Sequence, residues 1–141
     1  MCAPRLIRME GDERLIAERL ADAGVLFAYL FGSRAAGNER GSSDADVAVM
    51  PGRELSLLEQ GGLADRLAGA LGVREVDLVL LDRAGLELRG AVVQEGRLIF
   101  SADEPRRVAF EVRTRSEYLD YLPTLRAHTR RYLAQVAERG L

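Results

Sequence analysis

The apolar positions of this chain alternate between two spacings. Over residues 12–23, Leu15, Ile16, Arg19, Leu20 and Ala23 fall on one side of a 3.6-residue period, acids open the segment and Gly24 supplies a stop, which predicts a helix. Val25–Phe31 is a continuous apolar and aromatic run, and reads as a buried strand. Residues 47–50, entered through Asp44 and Asp46, form a second strand. Beyond Met50-Pro51-Gly52, Leu63, Leu67, Ala70 and Leu71 recur at helical spacing within 54–71 and end at Gly72, with Gly61-Gly62 weakening the middle. The β-branched and leucine-rich run 73–81 reads as a central strand, 84–94 as a short helix and 97–100 as a last short strand. Together these predict an α/β (α+β) class: a small mixed sheet flanked by helices, occupying residues 1–101.

From Glu104 the pattern becomes a long helix, assigning residues 102–141 to a C-terminal helical extension. Val108, Val112, Arg115, Leu119 and Leu122 share one stripe. Pro123 removes a backbone donor and crowds the preceding turn, so a kink or restart is expected there, with Leu125, Thr129, Tyr132 and Val136 continuing the stripe. Such a stripe packs on its own domain, docks a partner, or does both.

Composition narrows the field. The chain has 141 residues, 48% hydrophobic and 30% charged, enough for one domain with a core plus an appendage. Net charge is −2 with mixed signs, so no single-signed field argues for DNA as a partner. All 20 basic residues are arginine, which excludes a Walker A loop and a lysine-adenylate intermediate. The lone Cys2 cannot close an internal disulfide, no histidine or thiol cluster suits zinc, and no apolar stretch reaches membrane-spanning length. Residues 1–9 lack the apolar core of a signal peptide, and the expectation is a cytoplasmic protein without a membrane partner.

The chemistry-bearing residues lie around the first two strands. Gly32-Ser33 ends the first one: glycine allows close backbone approach, and the serine hydroxyl adds a donor, a pairing suited to polyphosphate. Asp44 and Asp46 are two apart at the head of the second strand, so their carboxylates face the same side. Two like charges held together raise each other's pKa unless a cation intervenes, and hard oxygen donors favour Mg²⁺. Asp77, in the run read as a central strand, requires a partner or metal if buried and is the expected third ligand; Glu75, on its face, is the alternative.

The pattern Gly32-Ser33-Arg34-Ala35-x-Gly37, then Ser43-Asp44-x-Asp46, then Asp77 resembles the nucleotidyltransferase superfamily of the DNA polymerase β type. The small core looks like the minimal nucleotidyltransferases, and the helical tail looks like the MntA-type antitoxins paired with HEPN toxins. Ala36 stands where many such sequences have a second arginine, and Ala45 where isoleucine is common. The resemblance implies the nucleotidyltransferase fold and AMP transfer from ATP at a pair of Mg²⁺ sites. It assigns Asp44, Asp46 and Asp77 to the metals, Asp77 also to general base, and Gly32, Ser33 and Arg34 to the phosphates. It further implies a tyrosine hydroxyl of a cognate HEPN toxin as acceptor, in a hetero-oligomer. Non-catalytic occlusion of the toxin and transfer to a small molecule remain as alternatives. The only histidine, His128, has no arginine at the Arg-x(4–6)-His spacing of HEPN ribonucleases, so the chain does not resemble the toxin itself.

Overall fold

A computed structural model describes residues 13–32 and 44–138. Its elements follow the order α1 (Glu13–Asp22), β1 (Val25–Phe31), β2 (Asp44–Pro51), α2 (Leu57–Leu71), β3 (Glu75–Leu80), α3 (Leu86–Glu95), β4 (Arg97–Ser101) and α4 (Glu104–Glu138). The four strands form one sheet in the order β3-β2-β1-β4. β1 runs antiparallel to β2 and β4, whereas β2 and β3 are parallel and are joined by the α2 crossover.

Alternation along the strands divides the core between two faces. Ile16 and Leu20 of α1 and Leu63 and Leu67 of α2 pack on Leu30, Val47 and Val49, on one side of the sheet. Leu63 and Leu67 are fully buried, a contribution of about 1.5–3 kcal/mol each. On the other side Phe27, Tyr29 and Ala48 meet Val92 of α3 and Phe110 of α4. The start of α2 is fixed by a capping box: the Ser56 hydroxyl accepts the Glu59 N–H, and the Glu59 carboxylate accepts the Ser56 N–H, both at 3.1 Å. This places the helix start three residues after Glu54, and Gly61-Gly62 does not interrupt it.

Two expectations are corrected. β3 is an edge strand, because the parallel crossover carries it outside β2, and Asp77 is exposed rather than buried. The C-terminal helix is a single element of 35 residues that does not restart at Pro123. One lost ladder bond, about 3 kcal/mol, is carried by the turns on either side. Of the stripe expected to pack on its own domain, dock a partner or both, Val108, Val112 and Leu119 are 49%, 61% and 60% exposed, while α4 packs on the domain through Phe110 on its opposite side. The side chains of Leu125, His128, Thr129, Tyr132 and Val136 lie outside the described residues.

The face of α4 that does pack is built from aromatic, small and charged residues. Asp103 accepts the N–H of Arg106 at 3.1 Å and caps the helix, with Pro105 in the first turn where its missing donor costs nothing. Phe110 stacks on Phe27 with ring centroids 5.3 Å apart, and Thr114 is buried. The Tyr118 ring lies over Gly90, where a Cβ would come within 2.3 Å of it. Tyr29 donates to Glu111 at 2.7 Å, and Arg107 donates to the same carboxylate at 2.6 Å and also to Glu104. Burial first, and then the bond to the Glu111 carboxylate, push the Tyr29 phenol far above its ordinary range.

Candidate active site

The site lies at the end of the sheet where β1 finishes and β2 and β3 begin. Register, which follows from the α2 crossover, decides what meets there. Asp46 pairs with Asp77 across the parallel ladder and with Phe31 across the antiparallel one, and Asp44 pairs with Glu75. Side chains on residues paired across a ladder share a face, and residues i and i+2 of one strand do so too. Asp44, Asp46, Glu75 and Asp77 therefore form a two-by-two acidic patch on strands about 4.8 Å apart.

Gly32 closes the patch from the β1 side. It takes φ +83°, and a Cβ there would lie 2.6 Å from Oδ2 of Asp46, so only glycine lets the chain turn this close to the carboxylate. Asp46 is partly buried between its neighbours. Desolvation first, then the charges of Asp77 and Asp44, raise its pKa above the ordinary carboxylate value. Arg74, at the head of β3, brings its guanidinium to 3.9 Å from Asp44. Both groups are at least half exposed, so the contact contributes little to stability, but it places a cation at the rim of an acidic patch.

The structure thus brings Asp44, Asp46, Asp77 and Gly32 to one place, while Ser33 and Arg34 lie outside the described residues. The sequence reading gave Arg74 no role; its position immediately before the acidic β3 face was the available signal. Among the described residues, no three carboxylate, imidazole or thiol groups already stand as a ready metal-binding cluster. The donor set nevertheless fits Mg²⁺, which keeps several waters and takes one or two carboxylates plus substrate phosphates rather than an all-protein cage. After desolvation, the repulsion from Asp77 and Asp44 that adds to the raised Asp46 pKa is also what a divalent cation relieves.

A strand ending in a glycine turn, beside paired aspartates on the next strand and a third on its parallel neighbour, defines a nucleotidyltransferase scaffold. The sequence model of the Polymerase beta nucleotidyltransferase family matches residues 15–105, and the chain belongs to that family. Among individual proteins, it is 37% identical over 90 residues to protein adenylyltransferase MntA of Shewanella oneidensis. That match covers 64% of this chain and 63% of the relative, slightly under two thirds of the latter's length. A toxin–antitoxin crystal structure with AMP-PNP contains a chain 31% identical, with a TM-score of 0.67, covering 89% of this chain and 98% of that one. A tri-AMPylated Shewanella oneidensis HEPN toxin in complex with its MNT antitoxin gives 30% identity and a TM-score of 0.62, covering 89% and 95%.

Proposed function

We propose that this chain is an antitoxin and Mg²⁺-dependent protein adenylyltransferase that moves AMP from ATP to a tyrosine hydroxyl of a cognate HEPN toxin, silencing it. The carrying observation is the register that sets Asp46 opposite Asp77 and against Gly32, in a chain of the nucleotidyltransferase family. In this reading residues 1–101 are the catalytic domain and 102–141 the extension. The protein works in the cytoplasm, where ATP is available, in a hetero-oligomer with the toxin. The adenylyltransferase and HEPN complexes among the similar proteins support the choice of acceptor.

The chemistry Mg²⁺ supplies when bound is neutralisation of the triphosphate and acidification of the acceptor hydroxyl. Asp44 and Asp46 would hold it, and Asp77 would complete the set. The tyrosine oxygen attacks the α-phosphorus in line; a new P–O bond forms, the bond to the β-phosphate oxygen breaks, and pyrophosphate leaves. Asp77, which is exposed, takes the phenolic proton and passes it to solvent. Gly32 and Ser33 receive the leaving phosphates through backbone N–H and hydroxyl donors, and Arg34 neutralises their charge.

The uncovered face of α4 favours one second reading, neutralisation by occlusion alone. Growth of cells expressing the toxin separates the two. Wild-type chain restores growth, and Asp44→Ala with Asp46→Ala abolishes rescue if AMP transfer is the mechanism. Full rescue by that double variant overturns the proposal in favour of occlusion.

A further inference from the structure

Arg74 stands directly before the edge strand β3, one residue ahead of Glu75, which Asp44 faces across the parallel ladder. Its guanidinium Nη2 lies 3.9 Å from Oδ1 of Asp44, the arginine side chain being 77% exposed and the aspartate side chain 51%. An ion pair this open to water adds little to stability, so holding the fold together does not account for it. What the contact changes is the charge at Asp44. The patch gathers four carboxylates, Asp44, Asp46, Glu75 and Asp77, on two adjacent strands, and Arg74 sets a positive charge at one corner of it.

Asp44 is also one of the two carboxylates that would hold Mg²⁺. A divalent cation on that carboxylate stands closer to the guanidinium than the Debye length, about 8 Å at physiological salt, so the two repel. Arginine keeps its proton at any working pH, and relief therefore comes only by movement of the side chain. Most of that side chain is already in water, so swinging aside gives up little packing. A triphosphate is the anion best suited to receive it, because the planar donors of a guanidinium match phosphate oxygens. Metal alone meets a competitor at Asp44, whereas metal with a triphosphate gives that competitor a new partner.

We infer that Arg74 is a positioning residue that couples metal to nucleotide: it holds Asp44 until the two arrive together, then yields the carboxylate to the metal and moves to the phosphates. The chain thereby favours the metal with its nucleotide over the bare ion. This rests on the proposed function for the metal and the nucleotide. By linkage, whatever factor the nucleotide adds to metal affinity the metal adds to nucleotide affinity, and removal of the Arg74 charge shrinks both.

The test uses the full chain with Mn²⁺ as probe, since electron paramagnetic resonance counts the free ion independently of AMP transfer. Dissociation constants are measured for Mn²⁺ alone and, by calorimetry, for AMP-PNP at saturating Mn²⁺, with circular dichroism checking that each variant folds. Arg74→Gln is expected to tighten Mn²⁺ about three- to tenfold, the scale of a screened repulsion between these charges in water, and to weaken AMP-PNP about threefold or more. The Mn²⁺ difference should narrow in high salt. Arg74→Lys, which keeps the charge, should bind Mn²⁺ as the wild type does, and so should Arg14→Gln, which removes an 89% exposed guanidinium from α1. A merely structural role would weaken both ligands together. Unchanged or weaker Mn²⁺ binding by Arg74→Gln overturns the inference, as does binding undetectable in wild type and variant alike. Tighter Mn²⁺ with AMP-PNP unweakened overturns it too, because Arg74 then competes without coupling. The two readings fail separately: opposite shifts without AMP transfer to a toxin sink the enzymatic proposal alone, whereas AMP transfer with Mn²⁺ affinity indifferent to Arg74 sinks this inference alone.

Discussion

Replacing Gly32 with alanine perturbs the site in two ways that can be measured apart. The backbone is held at φ +83°, and forcing an L-residue into a left-handed conformation costs about 1–2 kcal/mol. The added Cβ begins 2.6 Å from Oδ2 of Asp46, against an ordinary contact of at least 3.4 Å, so the carboxylate must retreat by about 0.8 Å. A displacement near 1 Å in a positioned catalytic group costs about a hundredfold in rate. Gly32→Ala is therefore expected to lower the unfolding free energy by about 1–2 kcal/mol, read from urea midpoints. Single-turnover AMP incorporation, followed by intact mass, should fall about a hundredfold. Gly32→Asn separates the causes, because asparagine tolerates positive φ but keeps the Cβ: stability should partly return while the rate does not. A Gly32→Ala enzyme that loses stability as calculated yet transfers AMP at the wild-type rate refutes the claim that Gly32 makes room for Asp46.

Gly90→Ala should destabilise the chain by about 1–3 kcal/mol despite alanine's better helix propensity, because its Cβ meets the Tyr118 ring; Tyr118→Leu in the same chain should restore part of the loss in urea titration. Ser56→Ala removes the α2 cap and should cost about 1 kcal/mol, read from the same titration. The Glu59 carboxylate is held down at about 2, chiefly by Arg53 and then by the Ser56 N–H. A depressed acid pKa gives stability that is complete above the ordinary 4.5 and is lost as pH falls toward 2; in Glu59→Gln this part of the acid dependence should vanish from melting curves recorded across that window. Since desolvation first, and then the charges of Asp77 and Asp44, raise the Asp46 pKa, its ionised form opposes folding at neutral pH; Mg²⁺ should raise the melting temperature, and Asp46→Asn should raise it without the metal and remove the Mg²⁺ response.

Much of this was legible in the residue pattern, and the parts that were not share a cause. The run Val25–Phe31 gave β1 directly, and the spacing of Asp44 and Asp46 fixed that both carboxylates face one side. Which acid stands opposite Asp46 depends on strand register, set by a crossover helix whose path no local pattern encodes. The apolar run 73–81 resembles a strand covered on both sides, yet the sheet order leaves β3 on the edge; its leucines and valines cannot report which neighbour is missing. In α4 the regular valine and leucine stripe was visible, but not the face that packs, because Phe110, Thr114, the Tyr118 ring over Gly90 and the Glu111 carboxylate carry no apolar periodicity. Hydrophobic pattern finds a face that needs covering. It does not say by what.

The most direct test of the account is intact mass spectrometry of the proposed HEPN partner, after incubation with the chain, ATP and Mg²⁺. Addition of one or more AMP units by the wild type, absent with Asp44→Asn and Asp46→Asn, is the predicted result. An unmodified toxin in a stable complex with the wild-type chain contradicts it.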